Sequence, residues 1–250
     1  MANKLYVVDG SHPCATVERA LTLKGIPYKT VELLPPMHAP ITKALFGVRT
    51  VPAIKFEDGT KLSGSRAILA ELERRVPEPS LYPSDPDRRA AVDEAERWGD
   101  EVFQSIPRRL LWPALKRSPK SLPSFTVNAK LPTPAPLLVA MAPGLTRIEC
   151  KMNQATETAV RADLLALPAH LDKIDAWIAD GTLGDEPPNA ADLQILPSVR
   201  LLMTLGDVRP LIEGRPVADL VARVLPPAPG AVPAGVYPAE WLPAPATATP

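Results

Sequence analysis

Apolar and polar positions follow two different periods along this chain, and the change of period marks out its parts. Lys4-Leu5-Tyr6-Val7-Val8-Asp9 is a short β-rich run ending at Gly10, after which Val17, Ala20 and Leu21 give one apolar helical face before Lys24-Gly25. Tyr28 to Leu33 alternates with period two behind Ile26-Pro27, which completes a β-α-β unit and predicts a right-handed parallel crossover. Leu34 to Arg49 carries Pro35, Pro36 and Pro40 without a sustained period, so it predicts loops around one short helix near Ile41 to Phe46. Thr50 to Leu62 reads as a β-hairpin turned at Glu57-Asp58-Gly59, with Pro52 at the mouth of its first strand, where no ladder donor is required. Ile68, Leu69, Leu72 and Val76 then return to helical spacing, with Ser65 in the N-cap position.

Past Val76-Pro77 the pattern is helical only. Pro79 to Asp87 has the polar, proline-rich composition of a linker, which divides the chain into an α/β domain over 1–78, a linker over 79–87, an all-helical domain over 88–225 and a Pro/Ala-rich tail over 226–250. Arg88 to about Ser105 favours helix, with Asp93 and Arg97 spaced as an i,i+4 pair, and Leu110 to Leu115 continues it beyond a break at Pro107. Ser118 to Gly144 is long and proline-interrupted and predicts irregular chain. Leu164, Leu171, Ile174 and Ile178 place one face on a helix over Ala155 to Ala179, with a kink or break at Pro168. Asn189 and Asp192 form a capping box with Asp in place of the usual Glu, opening a further helix that Pro197 kinks.

Composition narrows the function classes. The 28 basic and 28 acidic residues balance, which gives no reason to expect nucleic acid or an anionic membrane surface as a partner. Apolar runs such as Pro136 to Ala142 fall far short of the roughly 20 residues that span a bilayer. The N-terminus enters a strand pattern directly, without a basic and apolar leader. Cys14 and Cys150, the two cysteines, make neither a disulfide framework nor a metal site, and a reducing cytoplasm suits them. Proline is the outlier, at 32 of 250 residues, clustered at 107–143 and 226–250.

Candidate chemistry gathers at the first strand-to-helix turn. Ser11-His12-Pro13-Cys14 faces the positive end of a helix, a setting that lowers thiol pKa values. From the residues alone, Ser11 and Ser65 read as N-caps, His12 as an incidental polar residue and Cys14 as a packed small residue. The free N–H groups of the Ser65 helix make an anion site.

Taken together, the order strand, helix, strand, irregular segment, Val-Pro strand, hairpin and Ser-initiated helix, followed by a helical domain with an Asn189-x-x-Asp192 box, resembles the glutathione transferase superfamily. The resemblance implies an α/β thioredoxin-like N-terminal domain and an all-α helical-bundle C-terminal domain. It implies a cis Val51-Pro52 bond whose neighbouring backbone pairs with glutathione, and a Ser65 that holds the γ-glutamyl carboxylate. Arg49 and Arg66 complete the implied thiol-binding set, with Lys55 as a further cation near Val51-Pro52. Ser11 falls where glutaredoxins and omega-type enzymes carry a nucleophilic cysteine and zeta-type enzymes their catalytic serine. Cys14 takes the place of the second redox cysteine. The implied activity is a transferase that activates the thiol of glutathione, or a related low-molecular-weight thiol, for attack on a small apolar electrophile, with Ser11 stabilising the thiolate. A non-catalytic binding or regulatory role and Cys14-dependent glutathionylation or deglutathionylation are the alternatives. Gly64 departs from the acidic residue or Gln usual in the family before the serine. Trp98, Phe103, Trp112 and Met152 face the cleft if the helical domain sits as in the family, and are core otherwise. A homodimer is also implied.

Overall fold

Strand β1 (Asn3–Val7) occupies the inside of a four-stranded sheet, so its inward residues Leu5 and Val7 are buried. The computed structural model describes residues 2–130 and 133–243. The sheet runs β2 (Tyr28–Glu32), β1, β3 (Ala53–Lys55), β4 (Lys61–Ser63). Asn3 to Val7 pairs in parallel with Tyr28 to Glu32, which requires the crossover helix α1 (His12–Leu23). β3 runs antiparallel to β1 and β4, and the hairpin closes where Phe56 N donates to Thr60 O at 2.9 Å around Gly59 at φ +91°. Helix α2 (His38–Phe46) fills the segment between β2 and β3, and the Val51–Pro52 bond entering β3 is cis.

Helix α3 (Ser65–Arg75) follows β4 directly. Its N-cap is Gly64 at φ +89°, not Ser65, because the chain must reverse there in a left-handed conformation that glycine adopts without strain. Ser65 is therefore the first residue inside the helix. Buried Lys24, at the end of α1, pairs with Glu73 of α3 and donates to Pro79 O at 2.7 Å, tying the segment after α3 to the α/β layer.

Among the described residues the elements after α3 are helices, with one isolated parallel bridge between Leu205 and Val232. Asp85 caps α4 (Pro86–Trp98) by accepting from Arg88 N at 2.9 Å, with Pro86 in the first turn where no N–H is needed. Arg97 pairs with Glu94 and Glu101, and Asp93 with Arg89, so the i,i+4 partners differ from the sequence expectation. A π-helical turn over Gly99–Phe103 leads into α5 (Ser105–Arg117). The break sits at Gly99, not at Pro107. A Cβ on Gly99 would come within 2.8 Å of Ile195 Cγ1, so glycine is what lets this segment touch α8 (Ala190–Leu202). Helix α8 is buried at every position except Arg200, and the Asn189–Asp192 box is formed in both directions. Asp192 is fully buried. It accepts from Gly184 N at 2.9 Å and Asn189 N at 3.0 Å, while Asn189 Oδ1 accepts from Asp192 N at 3.1 Å.

Three expectations are corrected. Ser118 to Gly144 is not simply loop: Pro119–Thr126 is a 3₁₀ helix and α6 (Ala135–Met152) begins at its end, with Pro136 in the first turn. Helix α7 (Glu157–Ala179) passes through Pro168 without a break, its Leu164, Leu167, Leu171 and Ile174 held in the core. The tail over 226–250 is irregular but, within the described residues, not detached. After α9 (Pro216–Val224), Val232 N donates to Thr204 O at 2.9 Å, Asp207 accepts from Val236 N and Tyr237 N, and buried Tyr237 donates to Leu110 O. The rest of the tail, 244–250, lies outside the described residues. Proline excludes ladder bonds, so only the tertiary surface under it could order this segment.

The two layers meet at His12. It is buried, and its Nε2 lies 3.0 Å from the carbonyl of Gln104; a carbonyl only accepts, so Nε2 carries the proton. Burial, with Arg108 adding repulsion, lowers the imidazole from 6.5 to about 3.

Two outcomes follow for stability. Asp192→Ala removes acceptors from two buried N–H groups and from the cap of the central helix, and should lower the unfolding free energy by about 2–3 kcal/mol in urea denaturation. His12 binds its proton more weakly in the fold than in the unfolded chain. Its contribution is therefore complete above pH 6.5 and is withdrawn as pH falls towards about 3. His12→Gln should flatten the acid limb of the stability curve across that window.

Candidate functional site

The site is built on the turn between β1 and α1. Gly10, at φ +74°, reverses the chain, Ser11 N donates to Val8 O at 3.1 Å, and Pro13 in the first turn pre-sets helical φ. Ser11 is the N-cap residue, yet its hydroxyl caps no helix amide and instead lies beside the Cys14 sulfur. It stands at the positive end of α1, half-buried, on the wall of a cavity of about 460 Å³.

That cavity runs between the turn and the helical layer. Arg49 and Val51, from the segment that leads through the cis proline into β3, line it beside Ser11. Among the described residues Val51 makes no backbone hydrogen bond, so its N–H and C=O stand at the sheet's end without a ladder partner. Asp9, Glu32 and His38 line the α/β side. Each holds one buried polar atom without a partner (Asp9 Oδ2, Glu32 Oε1, His38 Nδ1). Burial and then Glu32 raise Asp9, and burial lowers His38. The helical side is mostly apolar, with Leu111, Leu115, Phe125, Leu138, Leu145 and Met141, and also carries Trp112, Met152, Arg108, Arg109 and Glu149. Trp112 and Met152 thus face the cavity, whereas Trp98 and Phe103 stack on each other at 5.1 Å in the core.

The other candidates are placed elsewhere. Cys14 is 2% exposed, does not line the cavity, and is pushed by burial up to about 12, which outweighs hydrogen bonds with the Ser11 side chain and the Val8 backbone acting the other way. A thiol in that state is no nucleophile. Pro52 is buried and outside the lining, with its carbonyl accepting from Gly64 N at 3.0 Å. Ser65 is 1% exposed, and its hydroxyl accepts from Gln104 Nε2 at 3.2 Å rather than opening to the cavity. Arg66 pairs with Glu96 at 3.4 Å, a buried carboxyl that also accepts from the Tyr82 hydroxyl and that burial pushes up to about 7. The helical layer therefore already occupies the side chains expected to bind a ligand there. Arg108, Arg109 and His38 were not singled out from the sequence; a doubled arginine inside an otherwise apolar-faced helix was the available signal for the first two.

Among the described residues no group of three or more His, Cys, Asp or Glu residues could hold a metal ion, and no helix is long and apolar enough to cross a membrane.

Comparison with known proteins agrees with this geometry. Residues 5–80 match the family described as glutathione S-transferase, N-terminal domain. The chain is 35% identical over 116 residues to the glutathione S-transferase theta-3 of Mus musculus, covering 45% of this chain and 48% of that protein. It is 39% identical over 92 residues to the maleylacetoacetate isomerase of Pseudomonas aeruginosa, covering 35% and 43%. The aligned stretch thus spans about half the length of these curated relatives, 48% and 43%. A glutathione S-transferase from Methylobacterium radiotolerans, crystallised with glutathione sulfonate, superposes with a TM-score of 0.55 at 19% identity over 90% of both chains, a likeness of fold. With the sheet, the cis Val51–Pro52 bond, the α3 entry and the capped core helix all in place, residues 5–80 match the glutathione S-transferase N-terminal domain family and the chain as a whole has the glutathione transferase fold.

Proposed function

We propose that the protein is a glutathione-dependent transferase in which the Ser11 hydroxyl donates a hydrogen bond to the sulfur of bound glutathione and so favours the thiolate. The observation that carries this reading is Ser11, at the N-terminus of α1, sharing one cavity with the unpaired backbone of Val51. An extended peptide-like thiol can lie against that backbone as an added strand, with Arg49 available to a carboxylate at its end. Both curated relatives point the same way by the names they carry, a glutathione S-transferase and a maleylacetoacetate isomerase.

The chemistry needs no covalent enzyme intermediate. The thiol releases its proton to solvent, the sulfur attacks the electrophilic carbon, and the apolar wall formed by α5 and α6 receives the body of the electrophile. A free thiol titrates near 8.5, and each unit of lowering corresponds to about 1.4 kcal/mol of preference for the anion. A hydrogen bond from Ser11 together with the helix dipole supplies one or two such units. Cys14-dependent redox chemistry is set aside, since its sulfur is buried and its thiol strongly disfavours ionisation.

A binding-only role is the second reading, favoured by the Gln104 side chain seated on Ser65. Turnover separates the two. With glutathione and a generic haloarene, the protein should show thiol-dependent conjugation. Ser11→Ala should lower kcat by about 10- to 100-fold and move the pH–rate midpoint upward by about one to two units. Glutathione binding in calorimetry without turnover would establish the binding role, and absence of both would defeat the proposal.

A further inference from the structure

Two consecutive arginines on α5 are treated very differently by the fold. Arg109 is fully employed: its Nε and Nη2 donate to the two carboxylate oxygens of Asp163 at 2.6 and 2.7 Å, and its Nη1 donates to Ser105 Oγ at 2.8 Å. Arg108 makes no ion pair and no side-chain hydrogen bond among the described residues, and its Nε is buried without a partner. It sits one helical turn after Gln104, the residue whose carbonyl accepts from His12, so it stands on the cavity wall beside the Ser11 turn. Burial, followed by repulsion from Arg109, disfavours its charge.

Asp100 and Glu149 offset part of that cost at a distance, but among the described residues neither forms an ion pair or a hydrogen bond with Arg108. Glu149, on the α6 side of the cavity, is 4% exposed and lies beyond ion-pair distance. Its Oε1 is unpartnered, its Oε2 accepts only from Asn153 Nδ2 at 3.3 Å, and burial raises its carboxyl, which makes it a poor counterion. The helical wall otherwise carries Leu111, Leu138 and Leu145, and the acidic lining residues Asp9 and Glu32 belong to the α/β side of the cavity. A guanidinium held half-buried on a mostly apolar helical wall, with a neighbour of the same charge and no hydrogen-bonded partner among the described residues, is complementary to a planar anion that enters attached to an apolar body.

We infer that Arg108 receives the carboxylate of the second substrate, so that the electrophile is an apolar acid, with its reactive carbon turned towards Ser11 and its body on the α5–α6 wall. This rests on the glutathione reading of the same cavity and names the substrate class that reading leaves open. For a halogenated aromatic acid the step balances simply. The thiolate sulfur forms a bond to the halogen-bearing carbon, the carbon–halogen bond breaks with its electron pair leaving as halide, and the thiol proton has already gone to solvent. The carboxylate is unchanged throughout and serves to orient the ring.

The experiment compares a chloronitrobenzoate with the corresponding chloronitrobenzamide, each rate taken relative to its own uncatalysed reaction with glutathione. The wild-type protein should favour the acid in kcat/KM by about 10- to 100-fold, the range of a charge-assisted bidentate pair. Arg108→Gln should bring the ratio close to unity, chiefly through KM, and Arg108→Lys should restore part of it. Equal loss for acid and amide, with an upward shift of the pH–rate midpoint, would place Arg108 on the thiolate instead and overturn the inference, as would a wild-type protein without preference. If neither compound is turned over, the glutathione reading fails first. Calorimetric titration of unreactive nitrobenzoate and nitrobenzamide then decides the inference alone: selective binding of the acid, lost in Arg108→Gln, upholds it, and equal or absent binding refutes it. A melting temperature at or above wild type for Arg108→Gln, as expected when an unpaired charge is removed, and one close to wild type for Arg108→Lys, which keeps the charge, confirm that both fold.

Discussion

One neutral, buried imidazole sets the position of everything that matters for chemistry in this protein. His12 opens the first helix, directly after Ser11, and donates to the carbonyl of Gln104 at the start of α5. That bond joins the α/β layer to the helical layer beside Ser11 and Arg108, which line facing sides of the cavity. It holds only while the ring is uncharged, because a buried imidazolium beside Arg108 would be desolvated and repelled. Ser11 stands one residue before this contact and Arg108 one helical turn after it, so both lie next to the bond that joins the layers.

Around it, the polar groups that the seam between the layers buries are almost all consumed by one another. Gln104 donates to Ser65 and Asp100, Gln194 of the core helix donates to the same Asp100, and Arg66 reaches Glu96, which Tyr82 also supports. Such a network is costly to disturb because its members hold one another, Gln194 Oε1 being left buried without a partner. The groups left over are therefore informative. Val51, Ser11 and Arg108 all line the cavity, Val51 without a backbone hydrogen bond and Arg108 without a side-chain partner among the described residues, and these are the residues a thiol and an acidic electrophile would use in the proposed reaction.

The C-terminal segment adds a second constraint. A Cβ on Gly230 would come within 2.4 Å of the Phe125 ring, and one on Gly206 within 2.4 Å of Ala234 N, so the returning chain passes in direct contact with the body. Phe125 lines the cavity, which means the chain after Pro226 braces part of the wall that receives the electrophile in the proposed reaction.

Local chemistry sufficed wherever a few adjacent residues carried the signal. The hairpin at Gly59, the cis proline implied by Val51-Pro52, the β-α-β order and the Asn189–Asp192 box were legible because each rests on backbone restriction or on hydrogen bonds within a few residues. So was Ser11, placed by the strand-to-helix turn it occupies. Proline misled where packing overrode it. Helix α7 runs through Pro168, and residues 226–243 are pinned by Asp207 and Tyr237, because burial of distant side chains outweighs a missing N–H. The roles of Cys14, Ser65 and Arg66 were equally out of reach. Whether a side chain meets solvent or a partner depends on residues about 30 to 40 positions away, as with Ser65 and Gln104 or Arg66 and Glu96. Adjacent arginines look identical along the chain, and only the arrival of Asp163 beside one of them, from a helix 54 residues later, leaves the other free to meet a ligand.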